Sequence, residues 1–199
     1  MKRIAILIVS FTSFGLAQDL SDRIDGSTPA DVQMKFINEA GPQDVVAGAT
    51  IYILTKSGYE KTRTGTNGFS CLVLRERPES LEPECYDAEG SATTLLTDLY
   101  LEKERAKGRA DVDIKKEIAA GYKSGRFKSP RKPGIVYMLS PHNRVFDPES
   151  KQVVSFPGHL MFYAPYATAK TVGSGRGAPY IVSPGEPTAL LVVVPAQGQ

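Results

Sequence analysis

The chain has 199 residues, of which 41% are hydrophobic and 23% charged, and its formal net charge is +2. This size and balance fit one ordinary globular domain. They exclude a strongly basic protein of the kind that binds polyanions, so nucleic acid is not an expected partner.

The first residues have the pattern of a secretory signal peptide. A short positive region over 1–3 precedes an apolar stretch over 4–16, and the small residues Gly15 and Ala17 close it. This pattern predicts cleavage after Ala17. The alternative is an uncleaved membrane anchor, but the stretch is shorter than the ~20 residues that cross a bilayer. We therefore expect residues 18–199 to form one exported domain, periplasmic or extracellular, without a transmembrane segment.

Cys71 and Cys85 are the two cysteines of the chain. In an exported protein an isolated pair is most simply a structural disulfide. Two free thiols, a redox pair or a metal site are the alternatives. A Cys-x-x-Cys redox motif is absent, and two cysteines without nearby histidines make a poor zinc site. We expect a disulfide between Cys71 and Cys85.

The first half of the mature chain predicts one helix and then three strands. Thr28-Pro29 has the residue types of a helix start, and Gly41-Pro42 those of a helix end. The β-branched and apolar segments that follow are separated by turns, of which Asn67-Gly68 is typical of a hairpin. The predictions are strands over 49–55, 59–64 and 69–74 in a three-stranded meander, then a charged loop over 75–90 that forms a solvated face or, less simply, a calcium site.

The second half predicts two helices and then further strands. Leu95, Leu99, Ile114 and Ile118 recur at helical spacing, with Gly125 past the second helix. Strands are predicted over 134–140, 144–146, 151–156, 159–164, 180–183 and 189–194. Helices and strands are segregated along the chain, which favours an α+β fold with a mainly antiparallel sheet and about three helices packed on it.

Three blocks of the sequence are familiar as a set. They cover residues 65–71, 133–139 and 157–165. Together they resemble a group of exported bacterial proteins classed as hypothetical. The resemblance implies a bacterial envelope or extracellular setting, and it carries over no catalytic residue.

Four residues are candidates for ligand binding. His159 can donate, accept or take up a proton, and Tyr137 and Tyr163 are of the type that lines pockets. Arg176 lies in a glycine-rich segment whose backbone amides suit an anion. The simpler explanations of the same residues are a buried structural histidine, core tyrosines and a surface loop. No catalytic motif, metal-ligand spacing or cofactor motif occurs, so none of these is predicted.

Three function classes follow from these observations. The first is a non-catalytic exported domain that binds a small molecule or an envelope component. The second is a hydrolase-type enzyme in which His159 acts with an acidic partner. The third is a structural or assembly protein of the cell envelope.

Overall fold

Six helices and ten strands occur in residues 23–173 and 178–195, which are the residues that the computed structural model describes. The predicted leader lies outside them. The helices are α1 (Ala30–Ile37), α2 (Gln43–Gly48), α3 (Ala88–Ser91), α4 (Thr94–Arg105), α5 (Asp111–Ser124) and α6 (Ala169–Val172). The strands are β1 (Thr50–Thr55), β2 (Gly58–Arg63), β3 (Ser70–Leu74), β4 (Glu82–Tyr86), β5 (Ile135–Met138), β6 (Arg144–Asp147), β7 (Gln152–Ser155), β8 (His159–Tyr163), β9 (Tyr180–Val182) and β10 (Leu190–Val193).

Eight of the strands form one sheet in the order β2-β1-β3-β4-β5-β8-β10-β9. Neighbouring strands are antiparallel except β1 and β3, which are parallel. The strands β6 and β7 form a separate hairpin, whose turn is fixed because the Asp147 carboxylate accepts hydrogen bonds from the backbone N–H groups of Glu149 and Ser150. The predicted α+β fold with a mainly antiparallel sheet is confirmed.

The predicted three-stranded meander is wrong in its topology. The strand β1 lies between β2 and β3, so β3 pairs with β1 in parallel and not with β2. The segment after β2 must therefore cross to the far side of β1 instead of forming a hairpin. Its backbone is held by the end of α2, because Thr66 and Asn67 donate their N–H groups to the Gly48 carbonyl.

The predicted solvated loop over 75–90 is also wrong, because it contains the buried strand β4. Each residue of this strand is buried, including Glu82 and Glu84, which are 7% and 4% exposed. The strand pairs with β3 on one side and β5 on the other. Two carboxyl side chains are thus placed in the middle of the sheet.

The sheet has an apolar layer on each face. Residues directly opposite each other across neighbouring strands share a face. Cys71, Cys85 and Tyr137 lie on the face where Ile37 of α1 packs. Leu72, Glu84, Tyr86 and Val136 lie on the other face, where Leu95 of α4 packs. Helices therefore cover both faces of the central strands.

A buried amide joins α1 to the sheet. Gln33 is 0% exposed, and its Nε2 donates to the Leu54 carbonyl at 2.9 Å and to the Thr28 carbonyl at 3.0 Å. Its Oε1 accepts from the Leu54 N–H at 2.8 Å. One side chain thus satisfies both backbone polar groups of Leu54, which would otherwise be costly to bury.

The predicted disulfide is confirmed. Cys71 on β3 and Cys85 on β4 are directly opposite in the antiparallel ladder, and their sulfur atoms are bonded at 2.01 Å. The bond closes a sequence separation of 14 residues. It therefore holds β4, with its two buried glutamates, against β3.

Candidate functional site

The sheet separates the residues that the sequence singled out for ligand binding. Tyr137 is opposite Leu160, whereas His159 and Tyr163 lie on the other face of the sheet, because successive residues of a strand alternate between faces. These three side chains therefore do not line one pocket. Arg176 lies outside the described residues.

The contacts of His159 are typical of a buried structural residue. It is 4% exposed, its Nδ1 lies 2.9 Å from the Pro157 carbonyl oxygen, and its ring packs against Phe156 with centroids 5.5 Å apart. Burial lowers the pKa of the imidazole, which favours its neutral form. Within residues 23–173 and 178–195, no Asp or Glu side chain forms a hydrogen bond or ion pair with it.

Tyr163 is tied to the start of α3. Its hydroxyl donates to Asp87 Oδ1 at 3.0 Å and approaches the Ile135 carbonyl at 3.3 Å. Asp87 in turn caps α3 by accepting from the Gly90 N–H. Burial and the charge of Asp87 raise the pKa of the Tyr163 hydroxyl. These contacts give the side chain a structural role in joining β8 to the helix.

A cleft of about 320 Å³ opens at a different place, at the end of β3. It is lined by the loop before α1, the turn between β1 and β2, Arg75 just past β3, and the last turn of α4. Three cationic and two anionic side chains line it: Lys56, Arg75, Arg105, Asp25 and Glu102. We call this the Arg75 cleft.

Arg105 holds the wall of the Arg75 cleft in place. Its Nε donates to Asp111 Oδ1 at 2.8 Å, and its Nη atoms donate to the carbonyl oxygens of Arg75 and Glu76 at 2.9 and 2.7 Å. It also forms an ion pair with Glu102. Because all of its nitrogen atoms have acceptors, Arg105 fixes the backbone at Arg75 but has no donor left for a ligand.

Arg75, unlike Arg105, has a buried N–H group without an acceptor. Its Nη2 binds Glu102 Oε2 at 2.9 Å, and its side chain is 16% exposed. Its Nε–H is buried and meets no acceptor in the described part of the chain. A buried donor without an acceptor costs about 1–3 kcal/mol. A ligand oxygen that reaches this Nε–H would recover that cost.

Lys56 adds a cationic side chain at the rim of the cleft. Its side chain is exposed, and it forms no ion pair with any residue in 23–173 or 178–195. A lysine ammonium and an arginine edge with a free N–H suit the oxygen atoms of a carboxylate, sulfate or phosphate. The arrangement can therefore bind a small anion.

A cluster of acidic side chains lies between the sheet and α4. It consists of the buried Glu82 and Glu84 on β4 and the half-buried Asp98 on α4, and we call it the carboxyl cluster. The Tyr86 hydroxyl donates to Asp98 Oδ2 at 3.0 Å, and the Glu76 N–H donates to Glu82 Oε2 at 2.9 Å.

The carboxyl cluster resists ionisation. Burial raises the pKa of Glu82 to about 8 and that of Asp98 to about 7. Burial, together with the charge of Glu82, raises the pKa of Glu84 well above its usual value. Removing a carboxylate from water disfavours its charged form, which is the physical cause of all three changes.

The sequence interpretation missed both the cleft and the carboxyl cluster. The alternation of Glu82 and Glu84 with Pro83 and Cys85 is the period of a strand with one polar face. The high charge of the segment, by contrast, is typical of a solvated loop. No comparable signal existed for the cleft, because its four lining segments are far apart in the sequence.

Comparisons with known proteins add no further assignment. No family model matches the chain, and neither the curated proteins nor the solved structures contain a significant match. In residues 23–173 and 178–195, no group of three or more His, Cys, Asp or Glu side chains is arranged to hold a metal ion. No helix in the same residues has the length and apolar character needed to cross a membrane.

Proposed function

We propose that this chain is an exported, non-catalytic domain that binds a small anionic molecule in the Arg75 cleft. The leader pattern over residues 1–17 and the resemblance to exported bacterial proteins support export. The Cys71–Cys85 disulfide agrees with an oxidising compartment. The near-neutral charge of the chain argues against nucleic acid as the ligand.

The buried Nε–H of Arg75 is the observation that carries this proposal. Buried polar groups in folded proteins nearly always have a partner, and this orphaned donor belongs to a residue that lines the cleft, which supports an acceptor supplied by a ligand. An anionic oxygen fits best, because a hydrogen bond between two charged groups is about twice as strong as a neutral one. Lys56 at the rim adds charge of the same sign.

The size of the cleft favours a small molecule over a macromolecule. Its volume of about 320 Å³ lies at the lower end of the range of ligand pockets. A ligand carrying a carboxylate, sulfate or phosphate group can place that group on Arg75 and leave the rest of the molecule towards solvent. The chemistry that the cleft recognises is therefore the anionic group itself.

Isothermal titration calorimetry with sodium sulfate tests the proposal on the mature domain. We expect saturable binding with one site per chain, and Arg75→Gln should weaken it by about tenfold or more because a charge-assisted hydrogen bond is lost. Arg131→Gln is the matched control, because Arg131 is exposed and does not line the cleft. Equal losses of sulfate affinity in Arg75→Gln and Arg131→Gln would refute the proposal, as would the absence of saturable binding of sulfate, phosphate or succinate.

Two further variants separate binding from folding. Arg75→Lys keeps the positive charge near Glu102 but removes the Nε–H, so we expect weakened binding in a folded protein. Lys56→Gln changes an exposed side chain without an ion pair in the described residues, so circular dichroism should remain unchanged while sulfate affinity falls.

The contacts of His159 bear on the hydrolase hypothesis but not on the hypothesis of an envelope assembly protein. A hydrolase that uses His159 with an acidic partner receives no support, because the described residues give this histidine a carbonyl and an aromatic ring as neighbours. A structural or assembly protein of the envelope stays a prediction.

A further inference from the structure

We propose that anion binding in the Arg75 cleft is coupled to proton uptake by the carboxyl cluster, so that the domain holds its ligand more tightly in acid. This inference rests on the proposed function and concerns how the same site is regulated. Three steps carry it: a shared ion pair, a cluster stabilised by few donors, and a backbone segment that joins the two.

The first step is the position of Glu102. Its carboxylate bridges Arg75 and Arg105 and is 2% exposed, so it neutralises the cleft from within. On α4 it lies four residues after Asp98, which places both on one side of the helix. Glu102 is therefore shared between the cleft and the region of the carboxyl cluster.

The second step is the poor stabilisation of the cluster in its ionised form. The donors to Glu82 and Asp98 are a backbone N–H and a tyrosine hydroxyl, not the side chain of a lysine or arginine. Carboxylates in such surroundings pick up protons readily when more negative charge arrives nearby.

The third step is that the backbone of Glu76 joins the cleft to the cluster: its N–H donates to Glu82 Oε2 at 2.9 Å, and its carbonyl accepts from Arg105 Nη2 at 2.7 Å. The charges of Glu102 and Arg105 both alter the pKa of Asp98, and those of Arg75, Glu102, Asp98 and Glu84 all act at Tyr59. The ionisable groups around Asp98 come from every element packed there: Tyr59 on β2, Arg75 past β3, Glu76 in the following loop, Glu82, Glu84 and Tyr86 on β4, Glu102 and Arg105 on α4, and Tyr122 on α5.

The direction of the coupling follows from these charges. An anion bound at Arg75 adds negative charge beside Glu102, and a proton from solvent then binds a carboxylate oxygen of the cluster. Linkage is reciprocal, so prior protonation of the cluster strengthens anion binding by the same factor. At alkaline pH the ionised cluster opposes the anion.

Sulfate titrations at about pH 6 and about pH 8.5 test the coupling, because they bracket the ionisation of Asp98 and Glu82. Sulfate serves as the probe because its own charge does not change over this range. We expect affinity to be about tenfold higher at the lower pH, a normal size for linked sites. Calorimetry in buffers of different ionisation enthalpy should show net proton uptake on binding.

Asp98→Asn is the decisive variant, since its amide oxygen still accepts from the Tyr86 hydroxyl while its charge is gone. We expect the pH dependence to shrink and the affinity at about pH 8.5 to rise. Glu84→Gln tests the same point if Asp98→Asn does not fold. His142→Gln is the control for imidazole titration, because His142 lies beside Glu39 and does not line the cleft.

The outcomes separate the two proposals. Sulfate binding of equal affinity at both pH values overturns the coupling and leaves the proposed function intact. A pH dependence that persists in Asp98→Asn and Glu84→Gln, or that disappears in His142→Gln, also overturns it. The absence of sulfate binding at both pH values refutes the proposed function, and the coupling with it.

Discussion

Replacing Glu82 with Gln should make this protein more stable at alkaline pH. Glu82 is 7% exposed and is the first residue of β4, directly opposite Leu74 of β3. Glutamine has nearly the same shape, and its side-chain oxygen can still accept the hydrogen bond from the Glu76 N–H. The substitution therefore removes the ionisable proton while keeping the packing and the hydrogen bond.

The size of the effect follows from the pKa. Burial raises the pKa of Glu82 from 4.5 to about 8 in the folded protein. The contribution of the protonated carboxyl group to the free energy of unfolding is complete below pH 4.5. It is lost progressively as the pH rises through about 8. One pKa unit corresponds to about 1.4 kcal/mol, so the loss reaches at most about 5 kcal/mol. That is a large part of the stability of an ordinary domain.

Urea denaturation of the wild type and Glu82→Gln at about pH 5 and about pH 9 measures this difference. The two free energies of unfolding should be similar at the lower pH, and Glu82→Gln should be more stable by several kcal/mol at the higher pH. Glu149→Gln, which changes an exposed carboxylate in the β6–β7 turn, should show no such difference. A wild type that is equally stable at both pH values, or equal behaviour of the two variants, would refute the reasoning.

Four shorter predictions test the rest of the fold. The double change Cys71→Ser, Cys85→Ser should lower the free energy of unfolding in urea by about 3 kcal/mol, because the closed loop no longer restricts the unfolded chain. Gln33→Leu should cost about 2 kcal/mol or more, since the N–H and C=O of Leu54 lose their buried partner. His159→Asn should destabilise the protein without changing sulfate affinity. Because burial lowers the pKa of His159, the stabilising effect of the neutral imidazole is present above pH 6.5 and is lost as the pH falls further. The difference in free energy of unfolding between the wild type and His159→Asn should therefore narrow in acid. Denaturing mass spectrometry of the exported protein should give a chain that begins at Gln18.

Local signals in the sequence were sufficient for most of the strands and for the three longest helices, α1, α4 and α5. Gly125, in the left-handed conformation with φ 78°, ends α5 as the position of that glycine predicts. The turn after Asp147 was equally readable, because its carboxylate binds the next two backbone N–H groups within a few residues. Such features depend on neighbours in the chain, which a single sequence displays.

Features that depend on distant residues were not predictable. The Asn67-Gly68 pair has the residue types of a hairpin turn, yet β3 pairs with β1, and nothing in the segment itself specifies that partner. Glu82 and Glu84 were interpreted as solvated because carboxylates are seldom buried; they are buried here in a cluster that resists ionisation.

The site was missed for the same physical reason. The Arg75 cleft joins segments around residues 25, 56, 75 and 105, so no spacing within one segment marks it. The residues predicted to bind a ligand are distributed over both faces of the sheet: His159 and Tyr163 lie on one face and Tyr137 on the other. Aromatic residues contribute to cores as well as to binding surfaces, and only the packing distinguishes the two roles.

Nuclear magnetic resonance of the arginine Nε–H groups during a sulfate titration tests the central claim most directly. The Arg75 Nε–H has no acceptor in the described residues, whereas the Arg105 Nε–H already donates to Asp111 at 2.8 Å and serves as the internal reference. The account predicts that sulfate shifts the Arg75 signal in a saturable manner and leaves that of Arg105 nearly unchanged. An Arg75 signal that does not respond to sulfate, while other surface signals do, would contradict it.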